Sequence, residues 1–240
     1  MIKPARRLRN TVIRNSHIHN QIFHMNKKII DIAPKPVYDV TNIIELSEKI
    51  MKNNLDKYTF FYGGEFSQWY KSDFIYNSYK NRHHRLVFNC SEQYMMYMKA
   101  FIFNDFDSVQ KIMKTKYSSE QKKFGRSVKG FDENRWNNVK MDIVFNGNLL
   151  KFSQNKDLED LLLSTTGTTL VEASPIDKIW GIGLDESTAR ITPVSKWTGE
   201  NLLGIALTDV RDFIIECIET KRPRIPKNWN SKNGYIYNLI

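Results

Sequence analysis

The run Asn89-Cys90-Ser91-Glu92-Gln93-Tyr94-Met95-Met96-Tyr97-Met98-Lys99-Ala100 follows a segment of strand character, Arg85 to Phe88, and opens a helix. Strand thus gives way to helix almost without a connection, which points to a mixed α and β fold. Residues three, four and seven positions apart share a helical face, so Glu92 lies with Met95, Met96 and Lys99. A carboxylate and an amine therefore share a mostly apolar stripe. Two readings stand at this level. In one, Asn89 or Ser91 caps the helix and Glu92 merely complements its dipole. In the other, Glu92 is an acid with chemistry to do.

Beyond that run the apolar pattern predicts a strand from Tyr58 to Tyr62, a turn at Gly63-Gly64 and a polar aromatic loop around Trp69. Helices are expected over Ser91 to Phe103, Phe106 to Lys114, Asp132 to Lys151 and Lys156 to Leu163, with a last one from Glu200 to Ile218. Thr168 to Ala173 reads as a buried strand. The expected class is α+β, a mainly helical single domain around a small β-sheet. Upstream, Thr41 to Met51 has helical spacing behind the stiff Pro34-Lys35-Pro36 linker. The expected organisation is a basic N-terminal extension over 1–57, one domain over 58–220 and a C-terminal tail over 221–240.

At 240 residues and 41% hydrophobic content the chain can bury one sizeable core. Its net charge of +10 implies an anionic partner. Positive charge gathers near the start, where Lys3, Arg6, Arg7, Arg9, Arg14, Lys27 and Lys28 precede the first acid, Asp31. Such a segment suits nucleic acid or another polyanion, and it equally suits a solvated extension. Two cysteines, Cys90 and Cys217, make no disulfide framework, and no apolar run is long enough to span a bilayer. A cytoplasmic, reducing location without membrane contact is expected. His17, His19 and His24 lack the carboxylate or thiol neighbours of a structural metal site, so metal-free chemistry is expected. Gly181-Ile182-Gly183 has neither the third glycine nor the flanking elements of a dinucleotide fingerprint, and no cofactor is implied.

Further distinctive fragments follow one another along the chain. They are Gly64-Glu65-Phe66-Ser67-Gln68-Trp69-Tyr70, the Glu92 run, Phe124-Gly125-Arg126 and Trp136-Asn137-Asn138-Val139-Lys140. Leu161-Leu162-Leu163-Ser164-Thr165, Leu170-Val171-Glu172, Asp177-Lys178-Ile179-Trp180-Gly181-Ile182-Gly183 and Asn201-Leu202-Leu203-Gly204 with Arg211 complete the series. In wording and order this series, from Tyr58 to Glu219, resembles the NADAR family, also called the YbiA-like family of N-glycosidases. The resemblance implies an N-glycosidase with Glu92, Trp136, Asp177 and Trp180 at the family's functional motif positions. It further implies hydrolysis of the bond between ribose 5-phosphate and the aminopyrimidine of early riboflavin intermediates. Other members remove ADP-ribose from guanine. Ser67-Gln68-Trp69-Tyr70 departs from the shorter Ser-Asn-Phe version of some metabolic members, which bears on the substrate. A module that binds ADP-ribose or nucleic acid without turnover is the alternative from another class.

The residue types suit that chemistry. Breaking a ribosyl N-glycosidic bond builds an oxocarbenium-like cation on the sugar while negative charge passes to the departing base. At about 4 Å and an effective dielectric near 20, one carboxylate offers such a cation roughly 4 kcal/mol, about a thousandfold in rate. Glu92 is the candidate for that role, and Asp177 the candidate second acid to handle the attacking water. Trp136 and Trp180 offer indole faces to a base or a cation, although Trp136 also suits a core position. Arg126 suits a phosphate through paired hydrogen bonds, with Lys99 as an added point charge. Gly181 and Gly183 allow close backbone approach to a ligand. Asn201 completes the candidate substrate-binding set, with a plain helix cap as its other reading. Arg211 reads equally as a surface salt bridge.

Overall fold

The computed structural model describes residues 56–77 and 85–224, with helical backbone also at 45, 48–50 and 52. The expected Thr41 to Met51 helix, the histidines at 17, 19, 24, 83 and 84, and most of both terminal segments lie largely or wholly outside the described residues. The elements are β1 (Tyr58–Phe61), β2 (Phe74–Asn77), β3 (Arg85–Phe88), α1 (Ser91–Ile102), α2 (Phe106–Lys114) and α3 (Ser118–Arg126). There follow α4 (Glu133–Asn137), α5 (Lys140–Gln154), α6 (Lys156–Ser164), β4 (Thr169–Glu172), α7 (Glu186–Ile191), a 3₁₀ turn (Val194–Lys196) and α8 (Leu202–Glu219). The class is α+β, mainly helical with a small strand component.

The strands form two pairs. β1 and β4 run parallel, with Phe61 beside Glu172 at their ends, and β2 and β3 run antiparallel, with Phe74 beside Phe88. Because β1 and β4 are parallel, the loops that follow them leave the same end of the pair. Loops at the carboxyl ends of parallel strands are where open sheets commonly place ligands. Here those loops carry Gln68 and Trp69 on one side and Asp177 and Trp180 on the other.

Helix α1 is the central element, packed by α2, α3, α5 and β3. Ser91 through Met96, Met98, Ala100 and Ile102 are all buried, so the expected apolar stripe is one part of a helix enclosed on nearly every side. Phe88 and Tyr94 meet edge to face at 5.2 Å between ring centroids and link β3 to this core. α8 packs on α5, α6 and β4. No described helix is long and apolar enough to cross a membrane.

Three differences from the sequence pattern have physical causes. The expected Asp132 to Lys151 helix is two helices, broken where the Val139 N–H turns back to the Trp136 carbonyl at 3.0 Å. α3 escapes a periodicity search because its buried face is Ser118, Gln121 and Gly125, small or polar residues rather than a hydrophobic stripe. β2 lies in the polar stretch after Tyr70 and is held by its ladder to β3, which local sequence does not announce.

Candidate active site at the start of helix α1

Glu92 stands in the first turn of α1, and its burial has a local cause. Its N–H donates to the Gln68 carbonyl at 2.8 Å, which draws the loop after β1 over the helix start. That loop is fastened from behind by Lys151 of α5, whose Nζ donates to the Glu65 and Ser67 carbonyls at 2.6 and 3.0 Å. Burial pushes the Lys151 amine down to about 7. Neither Asn89 nor Ser91 caps α1. The N-cap residue is Cys90, without a side-chain cap, and Gln93 Oε1 accepts instead from the Asn89 N–H at 2.8 Å. Ser91 Oγ donates to Asn148 Oδ1 at 3.2 Å.

Glu92 is 3% exposed, and its Oε1 has no hydrogen-bond partner. Burial raises its carboxyl to about 7; Lys122, a hydrogen bond from the Trp69 side chain and Arg126 pull the other way, and Asp177 adds to the rise. A second acid shares this neighbourhood. Glu172, the last residue of β4, is likewise raised to about 7, first by burial and then by Asp177 and Glu92, with Lys122 opposing. Its Oε2 is also buried without a partner. Two buried carboxylates that influence each other and each keep an unpartnered oxygen make this neighbourhood the candidate site.

The cations come from α3 and α1. Gly125 lets α3 approach α1 closely: a Cβ there would stand 1.9 Å from Met96 Sδ. The same approach brings Lys122 and Arg126 to the acids. Arg126 is exposed, free to meet an anionic group at the rim. Lys99 lies over the Phe131 ring at 4.1 Å and over Trp136 at 5.4 Å. Burial, then Arg126, lower its amine, while Glu92 raises it. Trp136 is half-buried, packing against the core while Lys99 lies over its ring. Trp69, 43% exposed, has Lys122 over its ring at 5.6 Å.

Asp177, Arg126 and Lys99 therefore gather around Glu92, and Trp136 joins them through Lys99. The rest of the expected set needs correction. Asp177 Oδ1 accepts from the Ile179 and Trp180 N–H groups at 3.0 and 2.8 Å, so its carboxylate holds the turn that carries Trp180. Gly181 and Gly183 are occupied from behind by the chain itself: a Cβ at Gly181 would meet the Asp177 and Glu172 carbonyls at 2.9 Å, and one at Gly183 the Thr198 hydroxyl at 2.3 Å. They allow the loop to close rather than a ligand to approach. Asn201, in the left-handed region at φ 55°, accepts from the Glu172 N–H at 2.9 Å and donates to the Leu170 carbonyl at 3.0 Å. Its side-chain amide is committed to β4, which makes it a positioning residue, and it is not a side-chain cap of α8. Arg211 pairs with the exposed Asp212 at 2.9 Å, as a salt bridge was expected to, but is itself buried and also donates to the Thr165 and Thr168 carbonyls at 2.8 and 2.7 Å.

Sequence reasoning passed over Glu172, Lys122 and Trp69 as site residues. The available signal for Glu172 was an acid directly after the apolar Leu170-Val171 at the end of a buried strand. Lys122 and Trp69 gave none, since each lies in a polar stretch. Among the described residues no three His, Cys, Asp or Glu side chains form a group able to hold a metal ion.

Comparison with known proteins identifies the family. The NADAR domain family matches residues 60–215. "N-glycosidase R617" of Acanthamoeba polyphaga mimivirus is 44% identical over 165 residues, which is 65% of this chain and 96% of that protein. "Riboflavin biosynthesis protein PYRR, chloroplastic" of Zea mays is 36% identical over 113 residues, 45% of this chain but 16% of that much longer one. The NMR structure of the Escherichia coli protein YbiA superposes with a TM-score of 0.53 at 25% identity, covering 68% of this chain and 89% of that one. The match spans both loops and both orphaned acids, and on that ground the chain belongs to the NADAR family, as a hydrolase acting on N-glycosyl compounds.

Proposed function

We propose that the protein hydrolyses the N-glycosidic bond between ribose 5-phosphate and the aminopyrimidine of early riboflavin biosynthesis intermediates. The observation that carries this reading is Glu92, buried, short of one hydrogen-bond partner and ringed by Lys122, Arg126 and Lys99. A carboxylate in a partly dry site favours a cationic sugar far more than one in water does. Arg126 at the rim suits the 5-phosphate, and Trp136 and Trp180 suit the planar base. The similarity to a maize protein named for riboflavin biosynthesis supports the choice of substrate. Residues 1–57 are proposed to bind polyanions without sequence preference, and their deletion should remove salt-sensitive affinity for single-stranded DNA while leaving turnover intact.

The test is release of ribose 5-phosphate and free base from the ribosylated aminopyrimidine, beside ADP-ribosyl-guanine, with the wild type and Glu92→Gln. Turnover of the first, lost in the variant, is the expected result. Turnover of the second alone would overturn the substrate in favour of ADP-ribose removal. Tight binding of either without product would replace the enzyme by a binding module.

A further inference from the structure

We propose that Glu172, rather than Asp177, is the acid that works with Glu92, giving a proton to the departing base while Glu92 faces the sugar. The proposal rests on the N-glycosidase reading above and names a catalytic residue for it.

Placement comes first. The Glu172 backbone is fixed on both sides: its N–H donates to Asn201 Oδ1 at 2.9 Å, and its carbonyl accepts from Ser174 and Ile182 at 2.9 and 3.0 Å. It also stands in register with Phe61 in the parallel pair. Its side chain is thus carried by a rigid element, as a reacting group should be. Beyond that frame, Oε2 is buried with no partner, and Glu92 Oε1 is in the same state. Asp177 differs. Its Oδ1 is engaged by the Ile179 and Trp180 N–H groups at 3.0 and 2.8 Å, which ties that oxygen to the turn. It is better suited to holding Trp180 in place.

The surrounding charges then divide the roles. Glu92 from α1 has Lys122 and Arg126 from α3 and the Trp69 side chain to support a negative charge. Glu172 has Lys122 in its favour and faces Asp177 from the following loop and Glu92 from α1. Two carboxyls in one buried neighbourhood hold one proton between them, because both cannot ionise cheaply. With Lys122, Arg126 and the Trp69 side chain about it, against Lys122 alone for Glu172, Glu92 is the charged member of the proposed pair and Glu172 the proton donor.

As the C1′–N bond breaks, its electron pair goes to the base nitrogen, which takes the proton of Glu172. Water attacks C1′, and as the O–C1′ bond forms its surplus proton passes to Glu92. Transfer of that proton from Glu92 to Glu172 restores the pair. Water is the only co-reactant, and nothing is oxidised or reduced.

The experiment compares two substrates that differ in their need for an acid. The ribosylated aminopyrimidine has a poor leaving group, whereas p-nitrophenyl β-D-ribofuranoside 5-phosphate releases a stable anion without protonation. Glu172→Gln should lower kcat on the first by about 100- to 1000-fold, within the usual range for a lost general acid, and on the second by less than about tenfold. KM should change little, the alkaline limb of the pH–rate profile should disappear, and Glu172→Asp should restore part of the rate. Asp177→Asn should lower both substrates alike. Equal losses on both substrates in Glu172→Gln, or no loss on either, would overturn the proposal.

A second measurement separates this from failure of the substrate reading. Carboxyl ¹³C titration of the free protein needs no substrate, and Glu172 should titrate at lower pH in Glu92→Gln than in the wild type. If the wild type cleaves neither compound while that shift appears, the substrate reading falls and the proton-sharing pair stands. If Glu172 titrates as an ordinary carboxyl, indifferent to Glu92, the pair itself is refuted.

Discussion

Two buried charges in this molecule have opposite surroundings. Arg211, 4% exposed on α8, spends its guanidinium on the Thr165 and Thr168 carbonyls, the Thr165 hydroxyl and Asp212. Glu92, 3% exposed on α1, keeps one oxygen without a partner. Equal burial thus hides a difference in what the charge is for. A satisfied buried ion ties segments together, here the turn between α6 and β4 to α8. An unsatisfied one imposes a cost on the fold that water, a ligand or a reaction must offset.

Glu92→Gln breaks the comparison most sharply. Turnover should fall about a thousandfold, read as product release, because a charge present at the transition state is gone. Stability should move the other way. Burial raises the Glu92 carboxyl from 4.5 to about 7, so the folded chain binds that proton more tightly than the unfolded chain does. Its contribution is therefore fully present below about pH 4.5 and is lost as pH rises to about 7. Urea unfolding at pH 8 should show the glutamine variant more stable by about 1–2 kcal/mol, and the advantage should vanish at pH 4.

Arg211→Met should do the reverse. Leaving two buried carbonyls unpaired should cost about 3–5 kcal/mol, seen as an earlier urea midpoint, with turnover per folded molecule unchanged. A large loss of kcat in the folded variant would mean that the two regions are not separate. Asn201→Ala tests the seam between them. It removes two hydrogen bonds to β4 and puts alanine in the left-handed region, for a loss of about 2–3 kcal/mol. It should also lower kcat by up to about tenfold, through looser placement of Glu172.

The smallest effect belongs to Lys122→Gln. Lys122 opposes the rise of both acids, so its removal should move the limbs of the pH–rate profile to higher pH, by less than about one unit given its partial exposure. A shift to lower pH would show that Lys122 does not face the acids.

Much of the frame was legible in the chain because it rests on local pattern. Arg85 to Phe88 and Phe106 to Lys114 coincide with β3 and α2, and α1, α6, β1, β4 and α8 differ from expectation only at their ends. Glu92 was legible too, as an acid in a helix that is otherwise nearly all apolar. α3 was not, since Ser118, Gln121 and Gly125 bury without a hydrophobic period. Gln121 is explained only by its partners, donating to Asn89 Oδ1 and the Thr115 carbonyl at 3.2 and 3.0 Å. Lys151 ended the expected helix, and nothing local announced that it is sealed against two carbonyls more than eighty residues away.

What the sequence by itself determined is most of the elements, the family series and the presence of Glu92 at a helix start, because these depend on residue type and near-neighbour spacing. What only the tertiary structure decided is which acids share a site. Glu172 and Glu92 lie far apart in the chain and come together through the parallel β1–β4 pair and the close approach of α3 to α1. The turn-holding part of Asp177 has the same origin, since its Oδ1 accepts from the Ile179 and Trp180 amides. Burial and pairing are properties of packing between distant segments, so no local pattern could have ranked these acids.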